Sequence, residues 1–247
     1  MLKLLVSVKN KLEAVEAVKG GAHLIDVKNP REGSLGANFP RVIRQVKQIT
    51  PEHMEVSATI GDMPNLPGTA SLAALGAVVS GAQYVKTGLF GVRTTGEAVA
   101  LMKEVCKAVK EYDANANVIA AGYADFQKVG CLNPLKLPNV ACQSRADGVM
   151  VDIKVKTQGK LFDFLNDDQL TQLSQKAHKN NMFVAFAGSL ERADILRVFH
   201  LGADIIGVRG AVCSSRDRWN GSIQSHIVAE FATVTSKCGE LQSIKAD

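Results

Sequence analysis

The 247-residue chain is 46% hydrophobic and only 5% aromatic, with 21 glycines, a balance that can bury a sizeable core and suits small, repeated strand–turn–helix units. Its net charge of +5 comes from 29 lysines and arginines scattered without a basic run or basic–aromatic alternation, so small phosphorylated molecules fit better than nucleic acid as partners. Five cysteines with no C-x-x-C pair argue against a disulfide framework or zinc site, the N-terminus is too short for a signal peptide, and no stretch nears the ~18 apolar residues of a membrane span, so a cytoplasmic protein without metal or membrane partner is expected.

In chain order, residues 2–7 read as a first strand and residues 11–19 as an amphipathic helix with Leu12, Val15 and Val18 on one face. Residues 22–27 form a second strand, apolar from Leu24 except for Asp26. It delivers Lys28 into a run of Asn, Pro, Gly and Ser that can continue neither a strand nor a helix. A helix over 40–49, a strand over 54–59 and a helix over 69–80 follow, and a fourth strand ends at Lys86. The next helix, 96–110, carries Val99, Met102, Val105 and Val109 in register. Strand 117–121 leads to Gly122-Tyr123-Ala124-Asp125, and the proline-containing stretch 129–142 is expected to hold at most a short helix. The sixth strand ends at Asp152, and helix 167–179, strand 183–187, helix 191–200, strand 204–208 and helix 222–236 complete the chain.

A loose internal repeat organises these units. Gly21-Ala22-His23-Leu24-Ile25-Asp26-Val27-Lys28 is echoed by residues 81–86, 145–152 and 202–209; each time an apolar strand leads to a charged residue. Eight strands, each followed by a helix and apolar enough to be covered on both faces, predict an α/β fold, a (β/α)8 TIM barrel, as a single domain over residues 1–247. An open doubly wound sheet fits less well, because Ser7-Val8-Lys9-Asn10 lacks the glycines of a dinucleotide fingerprint.

In such a barrel the active site lies at the carboxyl ends of the strands, where Asp26, Lys28, Lys86, Asp152 and either Lys154 or Lys156 would converge. A lysine poorly solvated among other lysines loses affinity for its proton. One amine can then attack a carbonyl while another moves protons. Singly, each of these residues reads equally well as a structural ion pair. After the last two strands, Gly188 and Ser189, and Arg209 and Gly210, occupy the positions where barrels commonly bind phosphate, with Arg209 expected to supply a charged fork. Ser189 also reads as a helix N-cap before Glu191. The segment Gly33-Ser34-Leu35-Gly36 is no P-loop, since no Gly-Lys-Ser/Thr follows; it reads as a mobile loop that closes over the site.

The run Asp26-Val27-Lys28-Asn29-Pro30-Arg31-Glu32-Gly33-Ser34-Leu35-Gly36-Ala37-Asn38-Phe39-Pro40 resembles the hallmark of the (5-formylfuran-3-yl)methyl phosphate synthase family, also called 4-(hydroxymethyl)-2-furancarboxaldehyde-phosphate synthase. Residues 84–89, 120–125, 161–164 and 207–211 resemble it too, so that the similarity runs essentially end to end. The resemblance implies a barrel lyase of methanofuran biosynthesis that condenses two glyceraldehyde 3-phosphate molecules into a phosphorylated furan aldehyde, with loss of phosphate and water and without metal or organic cofactor. By the same resemblance the Schiff-base lysine falls on Lys28 and the proton-transferring lysine on Lys86. The acidic residues fall on Asp26 and Asp152, and a further lysine on Lys156, whose four-residue spacing from Asp152 favours it over Lys154. A Schiff-base aldolase or phosphosugar isomerase acting on a triose phosphate would share these residues. A homo-oligomer is expected.

Overall fold

In the computed structural model, which describes residues 2–243, eight parallel strands close into a barrel in sequence order. The strands are β1 (Lys3–Val8), β2 (Leu24–Val27), β3 (Glu55–Asp62), β4 (Tyr84–Gly88), β5 (Asn117–Tyr123), β6 (Gly148–Asp152), β7 (Phe183–Phe186) and β8 (Ile205–Val208). The surrounding helices are α1 (Lys11–Lys19), α2 (Pro40–Ile49), α3 (Pro67–Val79), α4 (Thr95–Tyr112), α5 (Phe126–Val129), α6 (Leu137–Ser144), α7 (Asp167–His178), α8 (Ile195–His200) and α9 (Ser225–Ser243). The doubly wound alternative fails at the seam: β1 pairs in parallel with both β2 and β8. The stretch after β5 holds a single turn of α5, a 3-10 turn at Pro134–Lys136 and the eight-residue α6.

Helix starts follow local chemistry. Thr94 and Glu97 form a capping box that satisfies the first amides of α4, while Pro40 and Pro67 open α2 and α3 where a missing N–H costs nothing. The face of α1 corrects the sequence reading. Leu12 is 78% exposed, and Glu13, Ala14 and Ala17 are the residues turned inward. The small alanines let the helix lie close against the barrel. Glu13 is held there by a partner 196 residues away, described below.

Two apolar layers result. One lies between the sheet and the helices. The other fills the barrel itself with Leu5, Leu24, Tyr84, Ile119, Met150, Ala185 and Ile205. Alternation along the strands then places Ser7, Asp26, Lys86 and Asp152 on the inward side above this floor, near the carboxyl ends. Only two registered pairs join β7 to β8. Past these short strands the chain diverges at Gly188 and Gly210, which is where the mouth of the barrel opens.

Candidate active site

Lys28 follows β2 directly, so it inherits the inward phase of Leu24 and Asp26. It is 6% exposed, and its ammonium faces the carbonyl of Ser34 at 3.3 Å. Burial pushes its pKa down to about 7; the charges of Lys156 and Arg218 push the same way, against the opposing pull of Asp152 and Asp26. Asp152, at the end of β6, is held at about 2: burial alone would raise it, but the charges of Lys156 and Lys28 outweigh that. Lys156 bonds Asp152 directly, four residues on, and its own pKa is lowered by burial. Lys154 turns the other way, to Asp62 at 3.1 Å and over the ring of Phe90.

Lys86 and Asp26 form a second unit. They are 1% and 0% exposed, and Lys86 Nζ lies 2.7 Å from Asp26 Oδ1, an ion pair whose angle falls outside hydrogen-bond geometry. The reach across β3 is possible because the inward residue of β3 level with Asp26 is the short Ser57. Asp26 Oδ2 accepts the hydroxyl proton of Ser7 at 2.8 Å.

Lys28, Asp152, Lys156, Gly188, Ser189, Arg209 and Gly210 line one cleft of about 370 Å³, together with Ser7. That volume suits a small-molecule site. Asp26 and Lys86 do not line it; they lie beneath, connected to it through Ser7. Among the described residues no group of three or more His, Cys, Asp or Glu is arranged to hold a metal ion.

The segment expected to be a mobile lid is instead a plug. Ser34 is 2% and Leu35 0% exposed, and the Leu35 side chain belongs to the apolar cluster inside the barrel. Asp62 accepts the backbone N–H groups of both Ser34 and Leu35, at 3.0 and 3.1 Å, and the hydroxyl of Tyr123. The single proton of the Ser34 hydroxyl is shared between the carbonyl of Ile153 at 2.7 Å and Asp152 Oδ2 at 3.2 Å, and the Gly36 carbonyl accepts from Thr59. Gly33 has φ +138°, and a side chain there would collide with the Asp62 carboxylate. The plug covers the β3–β6 side of the mouth and leaves the β7–β8–β1 side open.

At that open side Gly188 and Ser189 both take positive φ, 113° and 54°. Among the described residues, no acceptor receives the N–H of Gly188, Ser189, Gly210 or Ala211. Ser189 is not a helix cap: Glu191 and Asp194 cap the following 3-10 turn. Arg209 differs from expectation as well. Its guanidinium is committed to both oxygens of Glu13 at 2.7 and 3.2 Å and to the carbonyls of Ser7 and Arg218 at 2.9 and 2.8 Å. A fork already filled by a buried carboxylate is not available to a phosphate.

A family model described as 4-HFC-P synthase matches residues 4–232. The chain belongs to the 4-HFC-P synthase family. It is 50% identical to the (5-formylfuran-3-yl)methyl phosphate synthase of Methanopyrus kandleri, over 93% of this chain and 97% of that one. It is 52% identical to the protein of the same name from Methanococcus aeolicus, over 92% and 97%. The 3-hexulose-6-phosphate synthase of Salmonella typhimurium superposes with a TM-score of 0.66 at 18% identity, over 96% of this chain and 100% of that one, a likeness of fold.

This 4-HFC-P synthase family barrel thus carries a near-neutral amine, two buried lysine–aspartate pairs and a rim of unused backbone donors, a set suited to carbonyl chemistry on an anionic substrate. The sequence reading missed two contributors. Ser34 sits in a glycine-rich segment that reads as loop. Arg218 lies in Asp217-Arg218-Trp219-Asn220, the loop after β8 that carries the single tryptophan. In a barrel that loop faces the site, which was the usable signal.

Proposed function

We propose that this chain condenses two glyceraldehyde 3-phosphate molecules into (5-formylfuran-3-yl)methyl phosphate for methanofuran biosynthesis, releasing phosphate and water, with Lys28 as the Schiff-base lysine. The observation that carries the reading is a buried lysine with pKa about 7 opening into a cleft rimmed by backbone N–H donors. Membership of the 4-HFC-P synthase family supports the substrate and product.

The Lys28 amine adds to a triose carbonyl and water leaves, giving an iminium that draws electrons from the neighbouring carbon and makes its proton acidic. Lys156 and Asp152, bonded to each other beside Lys28, are placed to give and take the protons of carbinolamine formation and loss. Removal of the acidic proton gives an enamine. The enamine forms a carbon–carbon bond to the carbonyl carbon of the second triose; cyclisation through a hydroxyl, elimination of one phosphate and loss of water complete the ring, and hydrolysis of the bond to Lys28 frees the furan aldehyde and the amine. The lysine acts as the electron sink throughout. Lys86 and Asp26 supply a proton reservoir under the cleft, and the path to the substrate runs through the Ser7 hydroxyl. The N–H groups of Gly188, Ser189, Gly210 and Ala211 cradle one phosphate. The assembly is proposed to be a homo-oligomer in the cytoplasm; among the described residues no helix is long and apolar enough to cross a membrane.

The test is product formation. Purified protein mixed with glyceraldehyde 3-phosphate should develop furan aldehyde absorbance and release inorganic phosphate, and Lys28→Arg, which keeps the charge but cannot form an iminium, should lose at least about a thousandfold in rate. A triose isomerised or cleaved with no furan would instead indicate an isomerase or aldolase.

A further inference from the structure

The charges around the cleft pair off almost completely. Lys156 bonds Asp152, Arg209 bonds Glu13, and Arg216 reaches Glu191 at 3.1 Å. Asp217 is occupied by the backbone N–H groups of Trp219 and Asn220 at 2.8 and 3.0 Å. Two cations that line the cleft remain without a carboxylate partner among the described residues, Lys28 and Arg218. Lys28 is accounted for by the chemistry above. Arg218 is not: its Nε and Nη2 are buried and meet no acceptor among the described residues. Two nitrogens of a half-buried guanidinium are thus taken out of water without a hydrogen bond, a cost that the charges of Asp152 and Asp62 and the ring of Trp219, 5.3 Å away, offset only in part.

Nor has the side chain simply been left where a slack loop put it. The carbonyl of Arg218 accepts from Arg209 Nε at 2.8 Å, and Lys9 holds the carbonyls of Trp219 and Gly221 at 3.3 and 3.2 Å. A bridge between Cys213 and Ile223 closes the base of the loop. A side chain at Gly221 would run into the Asp217 carbonyl and, at 2.5 Å, that of Ser214. Thus Arg209, the residue expected to grip phosphate, instead braces the backbone of the residue that has donors to offer.

Resting on the family reading of the site, we propose that Arg218 is the side-chain ligand for a phosphate monoester in this cleft. Its planar guanidinium forks onto two phosphate oxygens opposite the backbone cradle of Gly188, Ser189, Gly210 and Ala211. Arg218 thereby selects phosphorylated over unphosphorylated aldehydes, while bond-making stays with Lys28.

The chain's only tryptophan, Trp219, adjoins Arg218 and lines the same cleft, so its fluorescence reports occupancy directly. Inorganic phosphate is titrated into wild type, Arg218→Gln and Arg218→Lys. In parallel, borohydride trapping on Lys28 is measured with glyceraldehyde 3-phosphate and with unphosphorylated glyceraldehyde. The expected result is a 10- to 100-fold weaker phosphate affinity in Arg218→Gln, about what loss of a charge-assisted fork removes, with partial recovery in Arg218→Lys. Half-saturation for the phosphorylated aldehyde should rise by a similar factor, and trapping of glyceraldehyde, compared at alkaline pH where Lys28 is neutral with or without the Arg218 charge, should stay within twofold. Arg218→Gln should also melt no lower than wild type, since the guanidinium it removes has two buried nitrogens without hydrogen-bond partners among the described residues. Equal phosphate affinity in wild type and Arg218→Gln overturns the proposal, as does equal loss of both aldehydes. The phosphate titration needs no Schiff base. Absence of trapping in wild type would therefore count against the chemistry assigned to Lys28, while the titration by itself decides the role of Arg218.

Discussion

At the scale of single residues, the site works by setting lysines against one another. Lys28 loses its proton near neutrality because it is buried and because Lys156 adds a like charge nearby, while Asp152 holds it partly protonated. The sign of a perturbation follows. Lys156→Met removes a charge that lowers the Lys28 pKa and at the same time leaves Asp152 less neutralised, and both changes raise that pKa above about 7. Iminium formation needs the neutral amine, so the acid limb of the pH profile for borohydride trapping should lie near pH 7 in wild type and move to higher pH in the variant, with trapping at neutral pH reduced and partly restored in alkali. A limb that stays in place would mean that Lys156 does not act on Lys28. Asp26, Lys28 and Asp152 were legible in the sequence because each ends an apolar run at a repeated spacing. Arg218 was not, because it lies among Asp, Asn and Gly in a loop where a charge is unremarkable.

At the scale of elements, the segment Gly33-Ser34-Leu35-Gly36 shows how glycines mislead. They read as freedom, but here they permit close approach: Gly33 abuts Asp62 at positive φ, and a side chain on Gly36 would strike the backbone of Asn29. Between them Leu35 drops into the barrel, and Ser34 bonds the Asp152 carboxylate that neighbours Lys28. A lone leucine between loop glycines was the clue that apolar burial, not motion, governs the segment. Leu35→Ala should therefore cost about 2–5 kcal/mol in chemical denaturation, the range for a buried leucine whose cavity only partly collapses. A loss under about half a kcal/mol would mean that the plug is not packed. Helix α1 teaches the complementary lesson. Its apolar period nominated Leu12 for the core, yet that side chain is exposed and the charged Glu13 is buried, since its partner comes from the far end of the chain and leaves no trace in a local pattern.

At the scale of the whole molecule, the Glu13–Arg209 pair joins the first helix to the end of the last strand across the seam where the barrel closes. The eight-strand architecture was readable, because strand–helix alternation repeats along the chain; which residues lock its closure was not, because that depends on a contact made only once the barrel exists. Glu13→Ala leaves a guanidinium buried without its carboxylate and should destabilise by about 3–5 kcal/mol in urea, whereas the double variant Glu13→Met with Arg209→Met should regain most of that loss. A double variant no more stable than Glu13→Ala would show that the pair does more than balance charge. Because Arg209 also braces the loop of Arg218, the double variant should keep its fold and yet bind phosphate less tightly.

The chemistry proposed for this cleft stands on Lys28 as the residue that carries the covalent intermediate. Mass spectrometry of the protein treated with glyceraldehyde 3-phosphate and borohydride, followed by peptide mapping, tests it most directly. A single triose-sized increment on the peptide containing Lys28, absent in Lys28→Arg, is the expected result; an adduct on Lys86 or Lys156, or none in wild type, would contradict it.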